Sequence, residues 1–184
     1  MPELTADDVA SFTNGRLPAD DEATERLLKA ALAAARRYCG WSVSPVVSVT
    51  HTMTGEGGRV LSLPTLQLVS IESLSESGVA VDVSRLDFDP DTGMVEKFPA
   101  GSWSRRRGGI TAAFTHGFDE DAAADFREGV LQLVDMMSRI GARDNPDLKR
   151  KKVDDVEYEW FEGVISTDRQ LAALFAPFRI LPAP

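Results

Sequence analysis

The stretch DFDPDTG, from Asp87 to Gly93, carries the oxygen-donor side chains that calcium prefers. Carboxylates at alternate positions are typical of an EF-hand loop, which has its glycine at the sixth position and a bidentate glutamate at the twelfth. Here the glycine is the seventh residue and the twelfth is Phe98, so the calcium pattern is incomplete. Pro90, Asp91 and Gly93 are typical turn residues, and the stretch therefore predicts a hairpin turn without a metal.

Histidine and cysteine are the other residue types with catalytic or metal-binding chemistry. His51 and His116 each lie in or at the end of a predicted strand, without a cysteine or second histidine at ligand spacing. Cys39 falls on the apolar face of a predicted helix, where a reactive thiol is not expected. There is no G-x-S-x-G motif, and the stretches GEGG and RGG lack the remaining residues of a phosphate loop. We expect no catalytic residue, metal or cofactor; the enzyme alternative is a hydrolase that uses His116 with an aspartate.

Two clusters of positive charge have the chemistry to contact phosphate or an acidic protein surface. They are Arg105, Arg106 and Arg107, and the run of Lys149, Arg150, Lys151 and Lys152. The whole chain has a formal charge of -9 and a pI near 4.7, which disfavours a protein that grips nucleic acid through a broad basic surface. Both clusters stay open to three interpretations: a solvated surface, a contact with an acidic patch on a neighbouring protein, or a contact with DNA phosphates.

Three helices are predicted in the core, at residues 5–14, 21–39 and 121–140, and a short fourth helix is predicted from Asp168 to Phe175 with Thr167 as its cap. The second has an acidic start, two arginines near its end and Gly40 at the position of a left-handed cap. Apolar residues at steps of three and four form one face of this helix, which includes Leu28, Ala31, Leu32 and Ala35. The small side chains on this face allow close packing, either within one subunit or between identical subunits.

Residues 45–116 show the alternation of β-structure. In the first strand, Val47, Val49, His51 and Met53 lie at every second position among largely β-branched neighbours. About six short strands follow one another through tight turns. No connection is long enough for a crossover helix, so we expect an antiparallel sheet or small barrel. The predicted fold class is α+β: two long packing helices and a short N-terminal helix, with the β region inserted and an extended C-terminal arm.

The chain length of 184 residues predicts one compact core, residues 1–145, followed by a C-terminal docking arm, residues 146–184. If residues 153–161 form a strand, its apolar face either completes this chain's own sheet or docks on another protein. The candidate contact residues of the arm are Val156, Tyr158, Trp160, Phe161, Phe178, Arg179, Ile180 and Leu181.

The hydropathy of the chain predicts no association with a membrane. Mean hydropathy is -0.16, and no apolar run approaches the roughly 18 residues that would span a bilayer. The first residues, MPELTADDVASF, carry acidic side chains where a secretory signal has positive charge, so we expect no export.

Several stretches, taken in order, resemble head-to-tail adaptor (connector) proteins of tailed bacteriophages that infect actinobacteria. They are DDVASFTNGRLPADDEATERLLKAALAAARRYCGW near the start, GGRVLSLPTLQLVSIESL and WSRRRGGITAAFTHGFD in the middle, VDDVEY in the arm, and FRILPAP at the end. The resemblance covers nearly the whole chain. No single motif is diagnostic, but their joint order and spacing are specific.

The resemblance implies a non-enzymatic structural protein of the virion, located at the head-tail junction. Members of the family form a ring, usually of twelve copies, beneath the portal and extend the DNA channel towards the tail. The implied partners are further copies of this chain, the portal protein, a stopper or tail connector protein, and double-stranded DNA that passes through the lumen without sequence recognition. The face of Leu28, Ala31, Leu32 and Ala35 is then a candidate for packing within the ring.

Ring formation would also concentrate the negative charge of the chain. Twelve copies carry a formal charge of 12 × -9, or -108, so a lumen lined by part of it would repel a passing duplex. Two other functions stay open. A head-completion stopper or tail-side connector would share the ring symmetry and the lack of catalysis. An acidic DNA mimic or inhibitor would suit the charge, but not the many short strands and the aromatic arm.

Overall fold

The helices of the chain lie before and after its strands, in the predicted α+β order. The computed structural model describes residues 4–141 and 165–180. Its α-helices are α1 (Ala6–Phe12), α2 (Glu22–Cys39), α3 (Ala124–Gly141) and α4 (Arg169–Phe175), and a 3-10 turn follows at Ala176–Phe178. No helix in this part of the chain combines the length and apolar character needed to cross a membrane.

The helix ends are set by local hydrogen bonds that the sequence signals. At α1, the Thr5 hydroxyl accepts from the Asp8 backbone N–H while the Asp8 carboxylate accepts from the Thr5 backbone N–H, a reciprocal capping box. Asp21 caps α2, which ends in the predicted left-handed glycine at residue 40. At α4 the predicted cap was Thr167, but Asp168 caps the helix, because its carboxylate accepts from the backbone N–H groups of Gln170 and Leu171.

The strands form two antiparallel sheets. They are β1 (Val47–Met53), β2 (Val60–Ser62), β3 (Leu68–Glu76), β4 (Val79–Val81), β5 (Leu86–Phe88), β6 (Met94–Lys97) and β7 (Ile110–His116). The larger sheet has the order β1-β7-β3-β4, and the smaller has the order β2-β6-β5. The last strand in sequence thus lies at the centre of the larger sheet, between β1 and β3.

Apolar side chains from both sheets share one core. The larger sheet contributes Leu68, Ile71 and Leu74 from β3 and the alternate residues of β7, while the smaller contributes Leu61 and Val95. Trp103, which precedes β7, is buried in the same cluster. Strict alternation selects the core side chains of β7, whereas β3 buries every third residue because its pairing with β7 has two register shifts.

Chain length alone predicts one core for residues 1–145, whereas the structure divides into two compact units. Within the described residues, the helical unit combines those up to Trp41 with those from Glu120 onwards, and the β unit is Ser42–Asp119. The physical reason is that the helices bury their apolar faces against one another, while the strands close a separate core between their own sheets.

Candidate functional site

The acidic stretch DFDPDTG forms the predicted hairpin turn, between β5 and β6. The Asp89 carboxylate accepts from the Thr92 hydroxyl at 2.8 Å and from the Asp91 backbone N–H at 3.0 Å. These two hydrogen bonds lower the pKa of Asp89, since they favour the ionised carboxylate. Its oxygens are thus used to close the turn. Among residues 4–141 and 165–180, no three histidine, cysteine or acidic side chains are grouped to hold a metal ion.

The two histidines occupy the predicted strand positions, with the Phe114 ring near both. His116 is buried and lies 5.2 Å from Phe114 between ring centroids, while the exposed His51 lies 6.1 Å from it. Burial, with a smaller contribution from His51, lowers the pKa of His116 and so favours the neutral imidazole. This environment is that of a packed strand residue.

Cys39 is fully buried at the end of α2, as its position on the apolar face predicts. Burial raises the pKa of the Cys39 thiol to about 12, with Arg179 opposing this shift. The thiol therefore stays protonated at neutral pH, and its sulfur packs near the Phe175 carbonyl oxygen at 4.0 Å.

The three arginines predicted as a basic contact lie on the loop between β6 and β7, and all three are exposed. The Arg105 Nε donates to the Glu56 carbonyl oxygen at 3.0 Å, which connects this loop to the turn between β1 and β2. The other basic cluster, Lys149 to Lys152, lies outside the described residues. Of the two predicted basic clusters, the structure therefore describes only the three arginines. Their loop is joined by a hydrogen bond to the turn between β1 and β2.

The predicted packing face of α2 is covered within a single chain. Leu28, Ala31, Leu32 and Ala35 expose between 0% and 6% of their surface. The apolar stripe of α3 is buried as well, and it consists of Phe126, Val130, Leu133, Val134 and Met137. Packing inside one subunit, one of the two alternatives, accounts for this face, and a role between subunits stays a prediction.

Ala31→Trp is expected to destabilise the isolated chain by about 1–3 kcal/mol or more, because a fully buried alanine leaves no room for an indole. Urea unfolding of the purified protein measures this effect. Ala124→Trp, at the exposed first residue of α3, is the control for the same substitution and should leave stability nearly unchanged. Equal urea midpoints for the two variants would show that Ala31 is not closely packed within the chain.

The candidate residues of the arm fall into two groups. Val156, Tyr158, Trp160, Phe161 and Leu181 lie outside the described residues. Phe178 is buried in the helical unit, where its carbonyl oxygen accepts from the Trp41 indole N–H at 2.6 Å. The Arg179 guanidinium lies 4.7 Å from the Tyr38 ring centroid, and the Ile180 backbone N–H donates to the Cys39 carbonyl oxygen at 2.9 Å.

Residues 165–180 are therefore part of the helical unit itself. Leu171 and Phe175 of α4 are buried there, although neither was predicted to be a core residue. Gly129 of α3 allows the approach of α4, since a Cβ at this position would come within 2.9 Å of the Phe175 ring. The spacing of Leu171 and Phe175, one helical turn apart, was the available signal for this packing.

The two most exposed large apolar side chains of the β unit were not singled out from the sequence. Val79 on β4 is 70% exposed and Phe98 after β6 is 66% exposed. Phe98 borders an open groove that is also lined by Val81, Arg85 and Lys97. Val79 lies on the same face of β4 as Val81, which packs against the β core, so strand alternation does not signal its exposure. Phe98 gives no signal either, because it follows the last paired residue of its strand.

Comparison with solved structures finds a similar fold in gene transfer agent particles. No protein-family model matches the chain, and no curated protein matches it. The fold is similar to a chain from the neck of a native gene transfer agent (GTA) particle computed with C12 symmetry, with a TM-score of 0.61 at 18% identity. A chain from the neck of an empty GTA particle computed with C6 symmetry gives the same values.

A third similar structure is the virion of a native gene transfer agent particle, with a TM-score of 0.60 at 17% identity. Each of the three matches covers 100% of this chain and 95% of the other. The likeness therefore extends over the whole length of both chains, and at this identity it establishes a shared fold.

Proposed function

We propose that this chain is a structural protein of the virion neck, located at the head-tail junction of a tailed phage or phage-like particle. The observation that carries the proposal is the fold match over the whole chain to proteins in gene transfer agent necks. The resemblance of ordered sequence stretches to head-to-tail adaptors supports the same place by an independent route. The protein then acts through assembly contacts rather than through catalysis.

In its finer form, the proposal is an adaptor ring that joins the portal to the tail and extends the DNA channel. Two of the similar neck structures were computed with C12 and C6 symmetry, which supports assembly of several copies around an axis. The proposed partners are copies of this chain, the portal protein, a stopper or tail connector protein, and duplex DNA in the lumen. The overall negative charge supports an acidic wall that DNA does not adhere to.

Imaging of intact particles by electron microscopy tests this position. We expect a twelvefold collar of this chain that touches the portal on one side and a tail-side protein on the other. A collar separated from the portal by another ring would instead assign the chain as a stopper. Absence of the chain from particles would contradict the whole proposal, and a neutral or basic lumen in the collar would contradict the acidic wall.

The arm is proposed to dock on the portal through residues 153–161, and replacement of the side chains on each face of the predicted strand in turn tests this docking. Replacement of Val156, Tyr158 and Trp160 by serine is expected to abolish attachment to purified portal rings. The matched control replaces Asp155, Glu157 and Glu159 by serine, which alters the opposite face of the predicted strand and should retain attachment.

Co-sedimentation with portal rings measures attachment, and circular dichroism verifies that each variant is folded. Point replacements are needed because deletion from Lys149 onwards would also remove Leu171, Phe175 and Phe178 from the helical unit. Undiminished attachment of the apolar-face variant would contradict docking through this segment.

A further inference from the structure

Four arginines lie on two neighbouring loops of the β unit, residues 54–59 and 104–109, which together are called the arginine tip. They are Arg59, Arg105, Arg106 and Arg107, and they make up four of the six lysines and arginines in the β unit, the others being Arg85 and Lys97. All four are exposed. The positive charge of an otherwise acidic unit is therefore concentrated in one place.

Hydrogen bonds hold the two loops together as one surface. The Trp103 backbone N–H donates to the Gly58 carbonyl oxygen at 2.8 Å, and the Gly108 backbone N–H donates to the Thr54 hydroxyl at 3.1 Å. Arg105 lies across Gly57, which has a φ of 77° and where a Cβ would collide with the Arg105 side chain. The buried Trp103 anchors the second loop in the β core.

The carboxylates near the tip do not cancel its charge. Glu76 is engaged below the loop, where it accepts from Lys97 Nζ and from the Ser104 backbone N–H, both at 2.6 Å. Glu96 faces Arg59 at 3.8 Å across largely exposed side chains, a weak pair. Glu56 is exposed and contributes its carbonyl oxygen to Arg105. Arg106 and Arg107 thus extend the excess of positive charge into solvent.

The amino-acid composition of the arginine tip favours a nucleic acid over a protein as its partner. Its residues are glycine, serine, threonine, glutamate and arginine, and none of the large hydrophobic side chains found exposed in the described residues lies on either loop. Specific protein interfaces are usually centred on buried aromatic, apolar or arginine anchors, and of these only arginine is present on the two loops. Exposed guanidinium groups on a polar backbone instead suit the phosphates of a nucleic acid, which are bound by charge and without reading sequence.

We propose that the arginine tip contacts the phosphate backbone of duplex DNA. The inference rests on the proposed function, because the channel of a neck ring brings duplex DNA close to every copy of the chain. A single small tip on an acidic protein makes a weak, salt-sensitive contact, so the duplex is touched without being held. The acidic remainder of the β unit limits the contact of this unit to the tip.

Neutralising the tip in the full chain tests this inference. The variant Arg105→Gln/Arg106→Gln/Arg107→Gln is compared with the wild type by fluorescence anisotropy, with a short labelled DNA duplex of random sequence at low salt. We expect affinity to fall on the order of tenfold or more, and the slope of log affinity against log salt to fall by about 2–3, as three phosphate contacts are lost. Duplexes of different sequence should bind equally.

The matched control removes the same charge from an exposed surface of α2, as Arg26→Gln/Lys29→Gln/Arg37→Gln, and should retain the affinity and the salt slope of the wild type. A second comparison replaces Lys149, Arg150, Lys151 and Lys152 by glutamine. If affinity falls with this variant and not with the tip variant, the inference is wrong.

Two further outcomes would also overturn it. The first is that the wild-type chain shows no salt-dependent binding to DNA. The second is that the tip variant binds DNA normally but loses attachment to a neck partner, which would show that the tip contacts an acidic protein surface. These results are separate from the position of the chain in particles. A collar at the neck with no DNA affinity would leave the proposed function standing and remove only the inference.

Discussion

Phe175→Ala is expected to lower the free energy of unfolding by about 3–5 kcal/mol, the usual cost of removing a fully buried aromatic ring. The Phe175 ring lies 5.6 Å from Phe126 and 6.2 Å from Tyr38 between centroids, so it joins α4 to both long helices. Its removal leaves a cavity where three helices meet. Urea unfolding followed by far-ultraviolet circular dichroism measures the loss.

Phe98→Ala is the matched control, because it removes the same ring from a position that is 66% exposed. It should change the unfolding midpoint little, since an exposed ring gains little from folding. Equal stability of the two variants would show that α4 does not stabilise the helical unit in solution.

The second large effect is expected in the β unit, where Trp103→Ala should cost about 3–5 kcal/mol. The indole is 1% exposed and its N–H donates to the Val95 carbonyl oxygen at 3.2 Å. Lys97 Nζ lies 4.4 Å from the centroid of the ring, and this lysine also pairs with Glu76. Loss of the indole therefore leaves a cavity in the core between the sheets, and it removes the side chain that anchors the arginine tip.

Calorimetry of Trp103→Ala and Trp103→Phe separates these contributions. The phenylalanine variant keeps most of the apolar volume but loses the indole hydrogen bond to the Val95 carbonyl oxygen, so we expect a smaller loss of roughly 1–3 kcal/mol. An alanine variant as stable as the phenylalanine variant would contradict the central packing of Trp103. If Trp103→Ala is stable enough to purify, its DNA affinity should be lower than that of the wild type, because the tip is no longer held in place.

Local signals explain why the elements themselves were predictable. The helical period of α2, the acidic cap at Asp21 and the left-handed glycine at residue 40 all act within a few residues, and they place the helix within one residue of its observed bounds. The alternation of β1 and β7 and the turn residues between β5 and β6 are equally local. The α+β fold class follows from their order along the chain.

Contacts between segments that lie far apart in the sequence could not be predicted as well as the helices and strands. The C-terminal residues were predicted to be a docking arm as a whole, yet Phe175 and Phe178 pack against residues more than a hundred positions earlier. Their apolar side chains indicate burial, but they do not indicate which surface buries them. The same holds for the face of Ala31, for which the sequence allowed a partner in the same chain or in another copy.

The amino-acid sequence by itself determined the helices and strands, their caps and turns, the acidic charge and the residues of the arginine loop, because each depends on neighbours along the chain. Tertiary structure alone decided that the strands form two sheets around one core, that α4 completes the helical unit, and that Arg59 joins the three consecutive arginines. These features depend on pairing between distant segments, whose choice among many apolar partners is made by the packing of the whole unit.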